Sequence, residues 1–213
     1  MDITPTLVPL GDAALLVRFG TTLSEPANRA AVEFARAIDG RLPLGVTEVV
    51  PSLVSVLVSY DPARLGFEQL AGEMRLLASV ETAAEPAAIH SVTVRFDGED
   101  LADVAAGLKL SPEAFVAAHN AAPLRVLATG FAPGFVYCGF HDAALTVPRR
   151  STVRPTVPVG TVLFAAGQTA IAATPIPTGW HVIGHTDFRN FDPAVMPPTT
   201  LRAGDNIRFE AVP

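Results

Sequence analysis

Hydrophobic and polar positions follow two different rhythms along this chain. Ala27, Ala30, Ala31, Phe34 and Ile38 recur at the spacing that lines one face of a helix. Ser24 stands ahead of them as an N-cap, Pro26 falls in the first turn, and Asp39-Gly40 ends the pattern. Phe67, Leu70, Ala71, Met74, Leu77 and Ala78 stripe a second helix in the same way. Between and before these helices, residues 13–19, 47–50 and 53–60 read as strands, the last two joined at Pro51-Ser52. The predicted order is βαββα. A further strand at 89–96 either completes a ferredoxin-like βαββαβ pattern or belongs to a second unit, with Glu81 to Ala88 as the linker.

The rhythm shortens downstream. Leu101, Val104, Ala105 and Leu108 mark a short amphipathic helix. Ser111-Pro112-Glu113 opens another, ending near Asn120, with Ser as cap and Pro at the first helical position. Residues 124–128 read as a strand running into a stretch, Gly130 to Gly160, where glycine and proline alternate with Phe131, Phe135, Tyr137 and Phe140. Proline fixes φ and lacks an N–H, so this stretch reads as a long loop held by aromatic anchors, either a cover over a β core or a site. Beyond Gly160, residues 162–165, 170–173, 180–183 and 206–212 are short apolar runs separated by turn residues, the pattern of a compact barrel or sandwich. The expected fold class is therefore α+β. An α/β domain covers residues 1–85, and a β domain carrying the loop 130–160 covers residues 86–213.

Composition narrows the function classes. At 213 residues, 49% hydrophobic and 17% charged, the chain has the profile of an ordinary globular protein. A net charge of −6 argues against nucleic acid as a partner. The first residues, Met1-Asp2-Ile3-Thr4-Pro5, lack the basic and apolar pattern of a signal peptide, and no apolar run reaches membrane-spanning length. The single cysteine, Cys138, leaves no internal disulfide and fits a cytoplasmic location. Lys109 is the only lysine; there is no GxxxxGK[ST] loop and no GxGxxG, so no familiar phosphate cradle is present.

Several groups could carry chemistry, each beside a plainer role. Arg149, Arg150 and Arg154, braced by Pro148 and Pro155, suit a carboxylate or phosphate, or equally salt bridges within the chain or to a partner. Cys138 lacks a fixed base and reads as a buried hydrophobe. His181 and His185 would share one side of an extended strand, with Asp187 as a conceivable third metal ligand; a polar strand face is the simpler reading. Asp97, Glu99 and Asp100 precede a helix and read as its cap, where acids favour the dipole. Gln168-Thr169 and Gly179-Trp180, at strand ends, could line a pocket for a small polar ligand or serve turns and core. These readings stop short of a reaction.

The run Gly130-Phe131-Ala132-Pro133-Gly134-Phe135-Val136-Tyr137 resembles the GFxPGFxY signature of the 5-oxoprolinase B-subunit family, also known as allophanate hydrolase subunit 1 and including the KipI-type kinase inhibitor. Pro148-Arg149-Arg150, Arg154, Val157-Pro158 and Gly160 resemble the PRR…PR…VPxG that follows, and Gln168-Thr169, Gly179-Trp180 and Ile183-Gly184 resemble its later elements. The resemblance covers nearly the whole chain. It implies an N-terminal α/β domain and a C-terminal cyclophilin-like β-barrel. It implies a homologous second subunit, of the 5-oxoprolinase C-type or the allophanate hydrolase subunit 2 type, and an A-type 5-oxoprolinase protein as a further partner. The implied reaction is ATP-dependent opening of 5-oxo-L-proline to L-glutamate. ATP would be bound with or by a partner, and neither metal nor biotin by this chain. Substrate would meet Arg149, Arg154, Gln168, Thr169 and Trp180, together with Phe131, Pro133, Gly134, Phe135 and Tyr137 of the signature. The alternatives are a kinase-inhibiting module and a urea-carboxylase or allophanate-processing subunit. The chain departs from the family pattern at Ala170 (usually Gly), Ala172 (often Tyr), Thr178 (Gly) and His185 (Arg).

Overall fold

The first sheet is built on alternation. In the structure, a computed structural model describing residues 3–39, 41–79 and 87–213, β1 (Thr6–Pro9) pairs antiparallel with β2 (Ala14–Arg18). Leu15 and Val17 of β2 are fully buried while their neighbours are half-buried, as a period of two requires. Helix α1 (Glu25–Asp39) follows; the Ser24 hydroxyl accepts from the Ala27 N–H at 3.4 Å, so the predicted cap is used. Strands β3 (Val46–Pro51) and β4 (Ser55–Tyr60) and helix α2 (Phe67–Ala78) complete the unit. The sheet order is β1-β2-β4-β3, with both helices packed on one core of Leu15, Val17, Phe34, Ile38, Val56, Val58, Leu70 and Met74.

The predicted βαββα order is present, with β1 added ahead of it. That N-terminal strand takes the sheet edge beside β2, a place the run at 89–96 could have filled. The latter strand, β5 (Ile89–Arg95), goes to the second unit. Its partner there is the last strand of the chain, in a parallel register running from Asn206↔Ile89 to Val212↔Arg95. The backbone divides into compact units at Met1–Pro86 and Ala87–Pro213. Gly40 and residues 81–86, read as helix stop and linker, lie outside the described residues.

In the second unit, β5 leads to helices α3 (Leu101–Gly107) and α4 (Pro112–His119). The Ser111 hydroxyl accepts from the Ala114 N–H at 3.1 Å and Pro112 opens α4, as predicted. Then come β6 (Leu124–Thr129), β7 (Val136–Gly139), β8 (Arg154–Val157), β9 (Thr161–Ala165), β10 (Gln168–Ile171), β11 (Ile176–Thr178), β12 (His181–His185) and β13 (Asn206–Val212). Seven of these strands close a barrel in the order β10-β7-β6-β13-β5-β12-β9, and β8 pairs with β11 separately. Inside lie Val92, Val94, Val126, Cys138, Phe164, Ile183 and Phe209, with Val104 of α3 and Phe115 of α4 in the same core.

The stretch 130–160 is not one long loop. It contains β7, paired with β6 and β10, and β8. Flanking glycines and prolines mask strands this short, and only their neighbours' backbone groups make them strands. The irregular part is nonetheless tightly held. Gly134 has φ +69°, and a Cβ there would approach Phe191 Cβ to 2.5 Å and Ala173 Cβ to 3.0 Å. The fully buried amide of Asn190 donates to the Gly134 carbonyl at 2.9 Å and accepts from the Leu201 N–H at 2.8 Å. Gly134→Ala is therefore expected to destabilise the chain by about 2 kcal/mol or more. A thermal melt within about 1 °C of the parent would refute this.

Candidate functional site

A second apolar cluster lies on the outer face of the barrel. Strands β9, β10 and β12 turn Phe164, Ile171 and Ile183 inward and Leu163, Ala170 and Val182 outward, with Ala172 just past β10 in the same outer cluster. Val157 of β8 and Ile176 of β11 cover part of this outer face, and Phe135 and Trp180 join them. Four aromatic rings form a continuous row there. Phe131 meets Phe135 at 5.5 Å, Phe135 meets Tyr137 at 4.8 Å, and Tyr137 meets Trp180 at 6.0 Å, all edge to face. The row runs from a 71% exposed Phe131, whose φ is +74°, to a Trp180 that is 7% exposed. Ala170 sits opposite Tyr137 in the β10–β7 register, so small side chains floor the row.

Arg149 ends the row. Its guanidinium lies 5.8 Å from the Trp180 ring centroid, a cation–π contact. Burial raises the Tyr137 phenol and the Arg149 charge partly offsets it. Arg149 is exposed, and among the described residues no carboxylate pairs with it.

The other two arginines are occupied. Arg154 places Nη1 2.7 Å from Asp100 Oδ2, Nη2 2.9 Å from Asp100 Oδ1 and Nε 2.8 Å from Glu99 Oε1. Arg150 Nη1 reaches Asp100 Oδ1 at 2.5 Å. Asp100 is 4% exposed and also accepts the Val182 N–H at 2.7 Å. Burial alone would raise its carboxyl; the bonds from Arg154 and Val182 and the two positive charges outweigh this and hold it below the ordinary carboxylate range. The capping role read for Asp97, Glu99 and Asp100 is thus corrected. Asp100 occupies the N-cap position of α3 but makes no side-chain cap bond, because its oxygens are taken by the arginines and β12. Asp97 pairs instead with His185 at 2.7 Å.

The remaining candidates separate. Pro133 is exposed and Gly134 buried in the signature turn, and Gln168 is half-buried at the start of β10. Thr169 is fully buried on the inner side of β10, away from the aromatic row. Its hydroxyl lies 2.8 Å from His119 Nε2 and 2.8 Å from His141 Nε2. Sequence singles out neither histidine; both stand in apolar, alanine-rich surroundings with no recognisable spacing. His181 Nε2 contacts the Pro148 carbonyl at 3.0 Å, and Asp187 pairs with Arg95 at 3.0 Å. With His185 on Asp97, each of the three residues considered for a metal has another partner, while His181 Nδ1 is buried with no hydrogen-bond partner among the described residues. Cys138 is buried in the barrel, which raises its thiol well above the reactive range.

Residues 5–201 match the family model of the carboxyltransferase domain, subdomains C and D. A Bacillus subtilis (strain 168) protein, named as the B subunit of 5-oxoprolinase, is 33% identical over 98% of this chain and 93% of its own length. The chain accordingly belongs to the 5-oxoprolinase B-subunit family of carboxyltransferase-domain proteins. Among solved structures, TTHA0988 superposes with a TM-score of 0.84 at 38% identity, covering 94% of this chain; the chain spans only 40% of that protein's length. Urea carboxylase of Kluyveromyces lactis shares the fold at a TM-score of 0.77 and 16% identity, over 98% of this chain and 22% of that one. No helix among the described residues is long and apolar enough to cross a membrane.

Proposed function

We propose that this chain is one subunit of an ATP-dependent 5-oxoprolinase, which opens 5-oxo-L-proline to L-glutamate together with a homologous second subunit. The observation that carries this reading is the aromatic row ending in an unpaired arginine. 5-Oxoproline is a small, flat lactam bearing one carboxylate. Its ring fits against Tyr137 and Trp180, and its carboxylate meets the one arginine of the PRR…R cluster that no acid of the described residues neutralises. Arg150 and Arg154 then act indirectly, by fixing the segment that presents Arg149. The second unit serves as the cyclophilin-like barrel of the complex. ATP is held with or by a partner, in keeping with the lack of any phosphate-cradling loop here. The naming of the relatives as one lettered component of 5-oxoprolinase supports the need for a partner. The reaction takes place in the cytoplasm.

The test is substrate-dependent ADP and glutamate release by the chain co-purified with its partner subunits, against a control lacking this chain. Arg149→Ala is expected to raise KM for 5-oxo-L-proline by roughly 10- to 100-fold, the worth of one charge-assisted hydrogen bond. Its circular dichroism and melting point should stay unchanged, since Arg149 is exposed. Unaltered kinetics would remove Arg149 from the site; absence of turnover in a well-formed parent complex would overturn the reading.

A further inference from the structure

Three elements of the barrel unit meet at one hydroxyl. His119 ends α4, Thr169 lies on the inner face of β10, and His141 lies just after β7. Both imidazole Nε2 atoms lie 2.8 Å from Thr169 Oγ1, and the rings are 4.7 Å apart. His119 Nδ1 lies 2.7 Å from Asn120 Oδ1.

The bonding inventory leaves one direction for these hydrogen bonds. Asn120 Oδ1 only accepts, so His119 Nδ1 carries a proton, and in the neutral ring that burial favours its Nε2 is a bare acceptor. Thr169 must donate its single O–H to that Nε2. Its oxygen then accepts the Nε2–H of His141. Phe96, Phe115, Phe164 and Phe209 surround the His119 ring, and His141 is the titratable group that packs against it among the described residues.

The place of this relay gives it a purpose. β10 is four residues long: outward it carries Ala170, with Ala172 just past its end, and inward Ile171 is its one large core side chain, so packing alone gives it few contacts that select a register. Its neighbours are irregular: β6–β7 is bulged between Val126 and Ala128, and β12–β9 between Val182 and Gly184. Yet β10 must hold Ala170 opposite Tyr137 on one side and Thr169 opposite Phe164 on the other, and Phe164 in turn faces His181, next to Trp180. We infer that Thr169, with His119 and His141, is a positioning device: the directed series His141→Thr169→His119→Asn120 pins β10 from inside the barrel and so sets the aromatic row and its alanine floor outside. The device stands on geometry alone; its effect on substrate rests on the 5-oxoprolinase reading.

Trp180 is the only tryptophan in the chain, so its fluorescence reports the row directly. In the intact protein at pH 7, nitrogen-detected NMR should show His119 as the Nδ1–H tautomer and His141 as the Nε2–H tautomer. Thr169→Val keeps the shape and removes the hydroxyl; it should raise acrylamide quenching of Trp180 by about threefold as β10 loosens. Thr169→Ser should behave as the parent. His141→Leu cuts the series at its less buried end and should move quenching the same way, which decides the matter if Thr169→Val does not fold. In the assembled complex, Thr169→Val should raise KM for 5-oxo-L-proline about tenfold with kcat little changed. Opposite tautomers, or parental quenching in a folded Thr169→Val or His141→Leu protein, would overturn the device. If the parent complex has no turnover, the functional reading fails while the tautomers and quenching still decide this one.

Discussion

Asp100→Ala is expected to be the most damaging single change in the barrel unit. The carboxylate is 4% exposed and accepts four hydrogen bonds: one from Arg150, two from Arg154 and one from the Val182 N–H. Removing it leaves the guanidinium of Arg150, 27% exposed, without its counter-charge, leaves Arg154, 17% exposed, with only the exposed Glu99, and orphans a buried backbone donor on β12. Breaking a buried pair from one side typically costs about 3–5 kcal/mol, because the remaining charge keeps its desolvation penalty. Partial exposure of the arginines places the result near the lower end. In a unit of this size that is a fall in Tm of roughly 10 °C. Glu99→Gln makes the matched control: Glu99 is 65% exposed, so its bond to Arg154 should be worth under about 1 kcal/mol. Urea denaturation of both variants checks this. An Asp100→Ala protein as stable as Glu99→Gln would mean that the arginines find water instead, and that Asp100 does not organise the segment carrying Arg149.

Acid should weaken the fold at a pH well above ordinary carboxylate titration. Burial pushes His119 down to about 4, against a smaller opposing effect of its bond to Asn120. Burial, with the neighbouring His119, pushes His141 down to about 3. In the unfolded chain both titrate near 6.5. The folded values lie below the unfolded ones, so between them the unfolded state binds more protons. Stability is therefore fully present above about pH 6.5 and is lost as pH falls toward 4 and then 3. Each histidine contributes about 1.4 kcal/mol per pH unit in that window, so the pair should cost several kcal/mol by pH 5. Urea midpoints at pH 7, 6 and 5 measure it, and His119→Gln should roughly halve the slope. A stability that is flat from pH 7 to pH 5 would show that the histidines are not held neutral by the fold.

Local physics made much of this legible in advance. Helices α1 and α4 start where Ser24 and Ser111 can cap them, because a cap is a contact across three residues and needs no tertiary partner. The aromatic anchors of the signature were visible as residue types, and they do build the outer row. Strands β7 and β8 were hidden, since four residues between glycines and prolines carry little propensity of their own. The acids at 97–100 looked like a cap because the nearest helix was the only partner that sequence distance offered. Arg150 and Arg154 stand 50 and 54 positions away, and a local pattern holds no record of such pairing.

The sequence by itself determined the helices and the serine caps of α1 and α4, the order of the first unit after its leading strand, the β character of the second, and membership of the family, since each rests on short-range pattern or on a long uninterrupted motif. The tertiary structure alone decided which arginine of the 149–154 cluster has no carboxylate partner among the described residues, that Thr169 faces inward to two histidines, and that Ile89–Arg95 belongs to the barrel. Those outcomes turn on which face of a strand meets which partner. A charge or hydroxyl takes its role from what closes around it, and that is settled only when distant segments pack.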